Sequence, residues 1–240
     1  MKFAVQLYSV RDCIGDGDDM LEILGKVKEL GFDGVEFAGY FGLDAQTLKA
    51  RLDQLGLVAV GTHCGLENYE GEKLAQTIEF GKTLGMKFMG VGGAKHSTPE
   101  DCEHIANVLG NATKAAASDG IVMYYHNHSE EFIPFKDGTL PIDIIRAGTK
   151  LQIDTYWSFN AGVDNYKFLT EHKDDIVHIH IKDGIDGKPK ALGEGNCDLA
   201  AVVKGAKAIG LDWIVLENDD PMPDGLADIA RSMKWLKANT

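Results

Sequence analysis

The chain has 240 residues, of which 24 are lysine or arginine and 37 are aspartate or glutamate, so its formal net charge is −13 with the histidines neutral. The length fits one large domain or two small ones. Apolar residues make up 44% of the chain, which is enough for a substantial core and excludes a disordered protein. Binding to the nucleic-acid backbone needs surplus positive charge to displace counterions, so this composition argues against nucleic acid as a partner.

The sequence carries no sign of secretion or of membrane insertion. The N-terminal apolar run, Phe3 to Leu7, is shorter than a signal peptide needs, and no uninterrupted apolar run reaches the roughly 18 residues of a membrane span. The four cysteines are scattered without a CxxC pair, as is typical of reduced thiols: Cys13, Cys64, Cys102 and Cys197. We therefore expect a cytoplasmic protein without a membrane partner.

Short β-rich runs alternate along the chain with helical stretches, several of which end at a glycine. The predicted strands are Phe3–Val10, Gly34–Phe37, Val58–Thr62, Phe88–Val91, Ile121–His126, Leu151–Asp154, Ile176–Ile181 and Trp213–Glu217. The predicted helices are Met20–Leu30, Asp44–Leu55, Gly71–Leu84, Thr98–Ser118, Pro141–Ala147, Asn165–His172, Leu199–Ile209 and Leu226–Ala238. The pattern is eight strand–helix units in succession.

Such alternation predicts a parallel sheet with right-handed crossovers, and eight units that close on themselves make a (β/α)8 TIM barrel. We expect one α/β domain of this kind over residues 1–240. A doubly wound open sheet is the rival architecture. Its nucleotide-binding version would carry a glycine fingerprint after the first strand, where this chain has Ser9-Val10-Arg11-Asp12 instead.

Polar residues gather at the carboxyl ends of six predicted strands, which is where TIM barrels carry their active sites. These residues are Glu36, His63, His126, His128, Asp154, His178, His180, Lys182 and Glu217. Each has a structural interpretation when taken alone. Glu36 can be a salt-bridged rim residue, Asp154 a loop cap and Glu217 a partner of Lys182, while His178 sits deeper and is expected to fill a barrel layer. Six such ends together favour a functional site.

A group of His, Asp and Glu without Cys suits one divalent metal ion, such as Mn, Co, Mg, Zn or Fe. Asp154, His180 and Glu217 end consecutive predicted strands, and adjacent strands lie about 4.8 Å apart, so the three side chains can converge on one ion. His126 and His128 face the same side of their strand because side chains alternate along it. Either histidine can complete the set.

In this order the motifs resemble the xylose-isomerase-like TIM barrels, the superfamily of sugar phosphate isomerases and epimerases, over essentially the whole chain. The motifs are Gln6-Leu7-Tyr8-Ser9, Gly34-Val35-Glu36, Tyr125-His126-Asn127-His128, Asp154, His178-Ile179-His180-Ile181-Lys182-Asp183, Leu192-Gly193-Glu194-Gly195 and Leu216-Glu217-Asn218. The resemblance implies one divalent metal held by a Glu, an Asp, a His and a Glu from strands 5 to 8.

Carried over by residue, the last three ligands match Asp154, His180 and Glu217. The strand-5 glutamate of the family is absent, so the resemblance places His126 in that position as the fourth ligand, with His128 as the alternative. A second departure is Trp157, which stands where the epimerases have a histidine. The missing glutamate puts a symmetric two-base epimerisation in doubt, and Trp157 together with the net charge of −13 argues against the DNA-repair members of the superfamily.

The resemblance implies a sugar isomerase or epimerase that removes a proton next to the carbonyl of a keto-sugar or polyol-derived substrate. The expected catalytic residues are Glu217 as base, Lys182 as stabiliser of the enolate or proton donor to a leaving hydroxyl, and Glu36 as a hydroxyl-binding group or a second acid or base. The expected substrate-binding residues are His63, His128, Trp157 and Phe41. No glycine-rich phosphate cradle is evident, so an unphosphorylated substrate is favoured.

Three alternatives stay open for the activity. An inosose-type dehydratase or eliminase would use the same proton abstraction, and metal-assisted cleavage of a glycoside would need the same ion. A non-catalytic sugar-binding barrel is the alternative from another class. The resemblance is also compatible with a homo-oligomer, because barrels of this superfamily often assemble.

Overall fold

The computed structural model describes residues 1–240, and eight of its ten strands form one parallel sheet. The strands are β1 Lys2–Gln6, β2 Gly34–Phe37, β3 Val58–Thr62, β4 Phe88–Val91, β5 Val122–His126, β6 Lys150–Asp154, β7 Ile176–Ile181, β8 Asp183–Ile185, β9 Lys188–Lys190 and β10 Trp213–Leu216. The sheet order is β3-β2-β1-β10-β7-β6-β5-β4. Its two outer strands meet where His63 bridges Gly90 and the Cys64 N–H donates to the Gly90 carbonyl at 2.9 Å. The sheet therefore closes, and the predicted TIM barrel is confirmed.

Nine α-helices surround the barrel, and their ends follow the capping residues of the sequence. They are α1 Gly17–Leu30, α2 Ala45–Leu55, α3 Lys73–Leu84, α4 Pro99–Ala115, α5 Pro141–Arg146, α6 Thr155–Asn160, α7 Asn165–Glu171, α8 Leu199–Ala208 and α9 Gly225–Asn239. Thr98 and Asp101 form a capping box at the start of α4. Gly31 ends α1 at φ 100°, a conformation in which other residues are strained. None of the helices combines the length and the apolar composition that a bilayer crossing requires.

The structure differs from the predicted elements where a side chain bonds to nearby backbone. The first strand stops at Gln6 rather than Val10, because a 3-10 segment begins there and the Gln6 side chain accepts the Tyr8 N–H at 3.3 Å. The helix α6 was not predicted, and it starts on Asp154, whose Oδ1 accepts two backbone N–H groups. Such local bonds leave no trace in the periodic spacing of apolar residues, so that spacing could not predict these two boundaries.

The segment after β7, which the sequence presented as a loop, contains the antiparallel pair β8 and β9. Asp183 organises this segment from a buried position. Its Oδ1 accepts the N–H groups of Gly184 and Cys197, and its Oδ2 accepts those of Gly193 and Gly195, at distances from 2.9 to 3.1 Å. The glycine loop is thereby held beside the carboxyl end of the barrel.

The main core of 49 buried residues includes Leu24, Leu109 and Ile179, and it unites strands with surrounding helices. A separate small cluster consists of Ala4, Val60 and Val215. Buried polar residues gather instead at the carboxyl ends of the strands, among them Glu36, His126, Asp154, His180 and Glu217. Buried polar groups must find partners, so this arrangement concentrates hydrogen bonds and charge at that end.

Candidate metal centre and active site

Glu36 is the hub of a buried polar network. Its Oε1 accepts hydrogen bonds from Gln152 Nε2 at 2.7 Å and from the Tyr124 hydroxyl, and its Oε2 accepts one from Gln6 Nε2 at 2.8 Å. Gly61 makes room for this network, since a Cβ there would lie 2.8 Å from the Tyr124 hydroxyl. Burial opposes the charge of Glu36, but the neighbouring His63 and His180 outweigh it and hold the pKa of this carboxyl well below its usual range.

His180 lies between two carboxylates. Its Nε2 is 2.5 Å from Glu36 Oε2 and its Nδ1 is 2.8 Å from Glu217 Oε2. Burial disfavours a charged imidazole, but Glu217 and Glu36 outweigh burial and raise the pKa of His180 to about 10. The ring is therefore fixed by Glu36 on one side, and it presents Nδ1 to the group that contains Glu217.

Lys182 is fully buried and contacts three carboxylates. Its Nζ lies 2.7 Å from Asp154 Oδ2, from Glu217 Oε2 and from Asp219 Oδ2. Burial alone would lower the pKa of Lys182, but these three carboxylates raise it above its usual value. Asp219 was not predicted as a site residue. The feature that could have identified it is the short acidic run Asp219-Asp220, which follows the last strand at the end of the barrel that carries the site.

Gln152 determines which nitrogen of His126 carries the proton. The Gln152 amide donates to Glu36 Oε1 and to His178 Nδ1, so its Oε1 is the acceptor for His126 Nδ1 at 3.1 Å and for His63 Nε2 at 2.7 Å. His126 Nε2 is therefore unprotonated, and it lies 3.9 Å from Asp154 Oδ2. Burial holds the pKa of His126 well below its usual value, which keeps the ring neutral.

Four of these residues meet the requirements of a divalent cation. One ligand atom each from His126, Asp154, His180 and Glu217 can be chosen so that all lie within 4.8 Å of one another. Asp154 Oδ2 is buried and accepts no hydrogen bond of regular geometry, although Lys182 Nζ lies beside it. Two imidazoles and two carboxylates are a donor set that suits Zn, Mn, Co or Fe. The residues present therefore fit the metal that the sequence implied.

The charges of the surrounding residues also favour a cation. The carboxylates of Glu36, Asp154, Glu217 and Asp219 outnumber the positive groups of His180 and Lys182 by two. An uncompensated negative charge in a buried region costs free energy, because water cannot solvate it there. A divalent ion would offset this negative charge.

A cavity of about 420 Å³ opens above the cluster. It is lined by Tyr8, Ala38, His63, Gly92, His126, His128, Trp157, Glu217 and Asp219. The rings of His128 and Trp157 lie 6.1 Å apart, centroid to centroid, and form part of its wall. Two cavities of about 570 Å³ lie elsewhere on the surface without any predicted site residue, so size alone does not locate the site.

The structure brings most of the predicted residues together, but five of them do not line the cavity: Phe41 and the fully buried Glu36, Asp154, His180 and Lys182. Phe41 is 37% exposed and does not line it. Glu36 is buried and in contact with His180 rather than at the cavity wall. His178 is buried below Gln152, as expected of a residue that fills a barrel layer. Gln152 and Tyr8 are site residues to which the sequence analysis assigned no role.

The family follows from a match over residues 24–239 to the family of the xylose isomerase-like TIM barrel. The chain belongs to this family. It is similar to the inosose dehydratase of Geobacillus kaustophilus (strain HTA426), with 23% identity over 260 aligned residues that cover 87% of this chain and 83% of the relative.

Two solved structures illustrate the shared fold of this xylose isomerase-like barrel. A sugar phosphate isomerase/epimerase from Parabacteroides distasonis ATCC 8503 superposes with a TM-score of 0.80 and 21% identity, over 99% of this chain and 94% of the other. The IOLI protein with a bound zinc atom superposes with a TM-score of 0.76 and 17% identity, over 99% and 97%. At these identities the likeness establishes the fold.

Proposed function

We propose that this protein is a divalent-metal-dependent sugar isomerase or epimerase that removes a proton next to the carbonyl of a keto-sugar or polyol-derived substrate. The observation that carries the proposal is the buried set of His126, Asp154, His180 and Glu217 at the base of a polar cavity. Membership of the xylose isomerase-like family supports it, as do relatives named as isomerases, epimerases and dehydratases.

The metal ligands in this proposal are His126 through Nε2, His180 through Nδ1, and the carboxylates of Asp154 and Glu217. Glu36 is the partner of the other His180 nitrogen, an arrangement that orients metal-bound histidines in many proteins. When bound, a divalent cation there would polarise a substrate carbonyl and lower the pKa of the neighbouring C–H group.

Glu217 is the residue that takes the proton. It lines the cavity, and its contacts with His180 and Lys182 both go to Oε2, which leaves Oε1 for the substrate. Burial opposes its charge, but Lys182 and His180 outweigh burial and hold the pKa of Glu217 well below its usual value. The carboxylate is therefore ionised, as a base must be before it takes a proton.

The remaining cavity residues bind and orient the substrate. His63 and His128 offer imidazole nitrogens to its hydroxyl groups, and Trp157 packs against its apolar face. The lining contains no lysine or arginine, and the nearby Arg11 is already bonded to the carbonyls of Tyr8 and Asp219. An uncharged sugar or polyol suits this cavity better than a sugar phosphate.

A dehydratase is the second candidate function. The specific observation in its favour is His126 on β5, because an imidazole there replaces the second carboxylate that a symmetric two-base epimerisation would use. The similarity to an inosose dehydratase points the same way. Both reactions begin with the same proton abstraction, and they differ in whether a hydroxyl group then leaves.

The test combines metal analysis with hydrogen exchange. Purified protein is analysed for metal content and then incubated in D2O with a panel of ketoses and inososes, with product analysis to separate isomerisation, dehydration and glycoside cleavage. We expect about one divalent ion per chain and deuterium incorporation that falls by at least about 100-fold in Glu217→Gln. The surface variant Glu103→Gln serves as the matched control.

The proposal fails if the protein binds no metal and Asp154→Ala keeps full activity. Substrate binding without any exchange or product, unchanged in Glu217→Gln, would instead identify a non-catalytic sugar-binding barrel.

A further inference from the structure

Lys182 places a positive charge inside the group of residues that fits a divalent cation. Its Nζ lies 2.7 Å from Asp154 Oδ2 and 2.7 Å from Glu217 Oε2, and both of these residues belong to that group. The side chain is fully buried, so its ammonium group is held by carboxylates in place of water. Lys182 therefore neutralises the same carboxylates that a metal would use.

An ammonium group and a divalent ion cannot share these oxygens without strong repulsion. Two cations a few ångströms apart in a buried region repel each other far more than they would in water. Metal binding at His126, Asp154, His180 and Glu217 therefore requires Lys182 Nζ to leave Asp154 and Glu217.

Asp219 is an alternative ion-pair partner for Lys182. Its Oδ2 accepts a hydrogen bond from Lys182 Nζ at 2.7 Å, and Asp219 lies outside the four-residue group. Its side chain is 28% exposed at the cavity wall, so water can help to solvate a lysine that moves toward it. Arg11 holds the Asp219 backbone by donating to its carbonyl oxygen at 2.7 Å.

We propose that Lys182 is an internal counter-cation that competes with the divalent metal, and that Asp219 receives the lysine when the metal binds. This inference rests on the proposed metal site. In the metal-free protein Lys182 holds the carboxylates together, and in the loaded protein it pairs with Asp219 alone. Metal occupancy is thus set by the exchange of one cation for another.

The experiment measures Mn²⁺ affinity in chelator-stripped protein by calorimetry, together with thermal unfolding with and without Mn²⁺. Lys182→Met removes the competitor, so we expect Mn²⁺ to bind about tenfold more tightly or better. Without metal this variant unfolds at a lower temperature than the wild type, because its buried carboxylates lose their counter-charge. Added Mn²⁺ restores the unfolding temperature. Lys188→Met, on the neighbouring hairpin, is the control and leaves the affinity unchanged.

A double-mutant cycle separates the role of Asp219 from a general effect of charge. Asp219→Asn weakens Mn²⁺ binding in the wild type, because the lysine then has no free partner. The same substitution has less than about a twofold effect once Lys182 is methionine. Equal effects in both backgrounds would overturn the role of Asp219.

A measurement on the wild type keeps the inference testable if Lys182→Met does not fold. The ammonium signal of Lys182, followed by nitrogen NMR, shifts on titration with Zn²⁺ as its partners change. An unchanged signal, or unchanged or weaker Mn²⁺ binding in Lys182→Met, would refute the competition. Failure of every variant and of the wild type to bind metal would instead refute the proposed function.

Discussion

Nε2 of His180 lies 2.5 Å from Oε2 of Glu36, and both side chains are fully buried at the carboxyl end of the barrel. The two residues come from β7 and β2, which are not neighbours in the sheet, so the contact crosses the barrel interior. It fixes the orientation of His180 and directs Nδ1 toward Glu217. The carboxylate of Glu36 thereby acts on the site without lining the cavity.

Glu36→Gln is expected to weaken metal binding by about 10- to 100-fold, the usual effect of losing the partner of a metal-bound histidine. The amide cannot match the charge of the carboxylate, so His180 loses both its orientation and its tautomer preference. Calorimetric titration of stripped protein with Mn²⁺ measures the effect. The exposed Glu70→Gln is the control, and equal affinities in the two variants would contradict the role of Glu36.

The free energy of unfolding of metal-free protein is expected to be greatest near pH 6.5, because two histidines on β7 have opposite pKa shifts. Burial lowers the pKa of His178 to about 4, whereas Glu217 and Glu36 overcome burial and raise that of His180 to about 10. An unfolded histidine has a pKa of about 6.5.

The sign of each effect follows from which state binds the proton. Between pH 4 and 6.5 the unfolded chain binds a proton at His178 that the native state does not, so stability falls as the pH falls. Between pH 6.5 and 10 the native state keeps a proton on His180 that the unfolded chain has lost, so stability falls as the pH rises.

Urea unfolding at about pH 5, 6.5 and 8.5 in the presence of a chelator measures this profile. Each proton contributes a slope of up to about 1.4 kcal/mol per pH unit. His178→Gln should make the acid side less steep and leave the alkaline side unchanged, and the remaining acid slope comes from His126 and His63, whose pKa values burial also lowers. A profile that rises steadily from pH 5 to 8.5 would contradict the assignment of a charged, buried His180.

Trp157→Ala is expected to raise the KM for the substrate about tenfold, with a smaller change in kcat, because the indole forms part of the cavity wall and takes no proton itself. Tryptophan fluorescence gives a second readout. A polyol that enters the cavity should change the emission of the wild type and of Trp213→Phe, but not that of Trp157→Phe. A ligand response that persists in Trp157→Phe would place the substrate elsewhere.

Asp183→Asn is expected to lower the free energy of unfolding by at least about 2 kcal/mol. The carboxylate accepts four backbone N–H groups with two oxygens, and an asparagine keeps only one acceptor oxygen, so two buried donors lose their partner. Urea denaturation measures the loss. Asp186→Asn, in the exposed turn of the same segment, is the control because asparagine tolerates its positive φ of 51°. Similar stability of both variants would contradict the role of Asp183.

The barrel could be predicted because its signals are local. Strand periodicity, helix spacing and terminal glycines each depend on a few neighbouring residues, and their eightfold repetition leaves few alternatives. The convergence of Asp154, His180 and Glu217 was also predictable, since consecutive parallel strands bring their carboxyl ends to the same edge. The elements that were wrong or missed, such as the strand end at Gln6 and the helix after Asp154, depend on single side chain–backbone bonds.

The sequence by itself determined the fold class, the end of the barrel that carries the site and the types of ligand that gather there. Only the tertiary structure decided what each group does. It placed Glu36 beneath His180, oriented His126 through Gln152 and put the charge of Lys182 among the carboxylates. The physical reason is that these contacts cross the barrel interior, and the His180–Glu36 pair joins residues 144 positions apart. Pairings of this kind depend on how the closed barrel packs its side chains, and no local pattern in the chain encodes them.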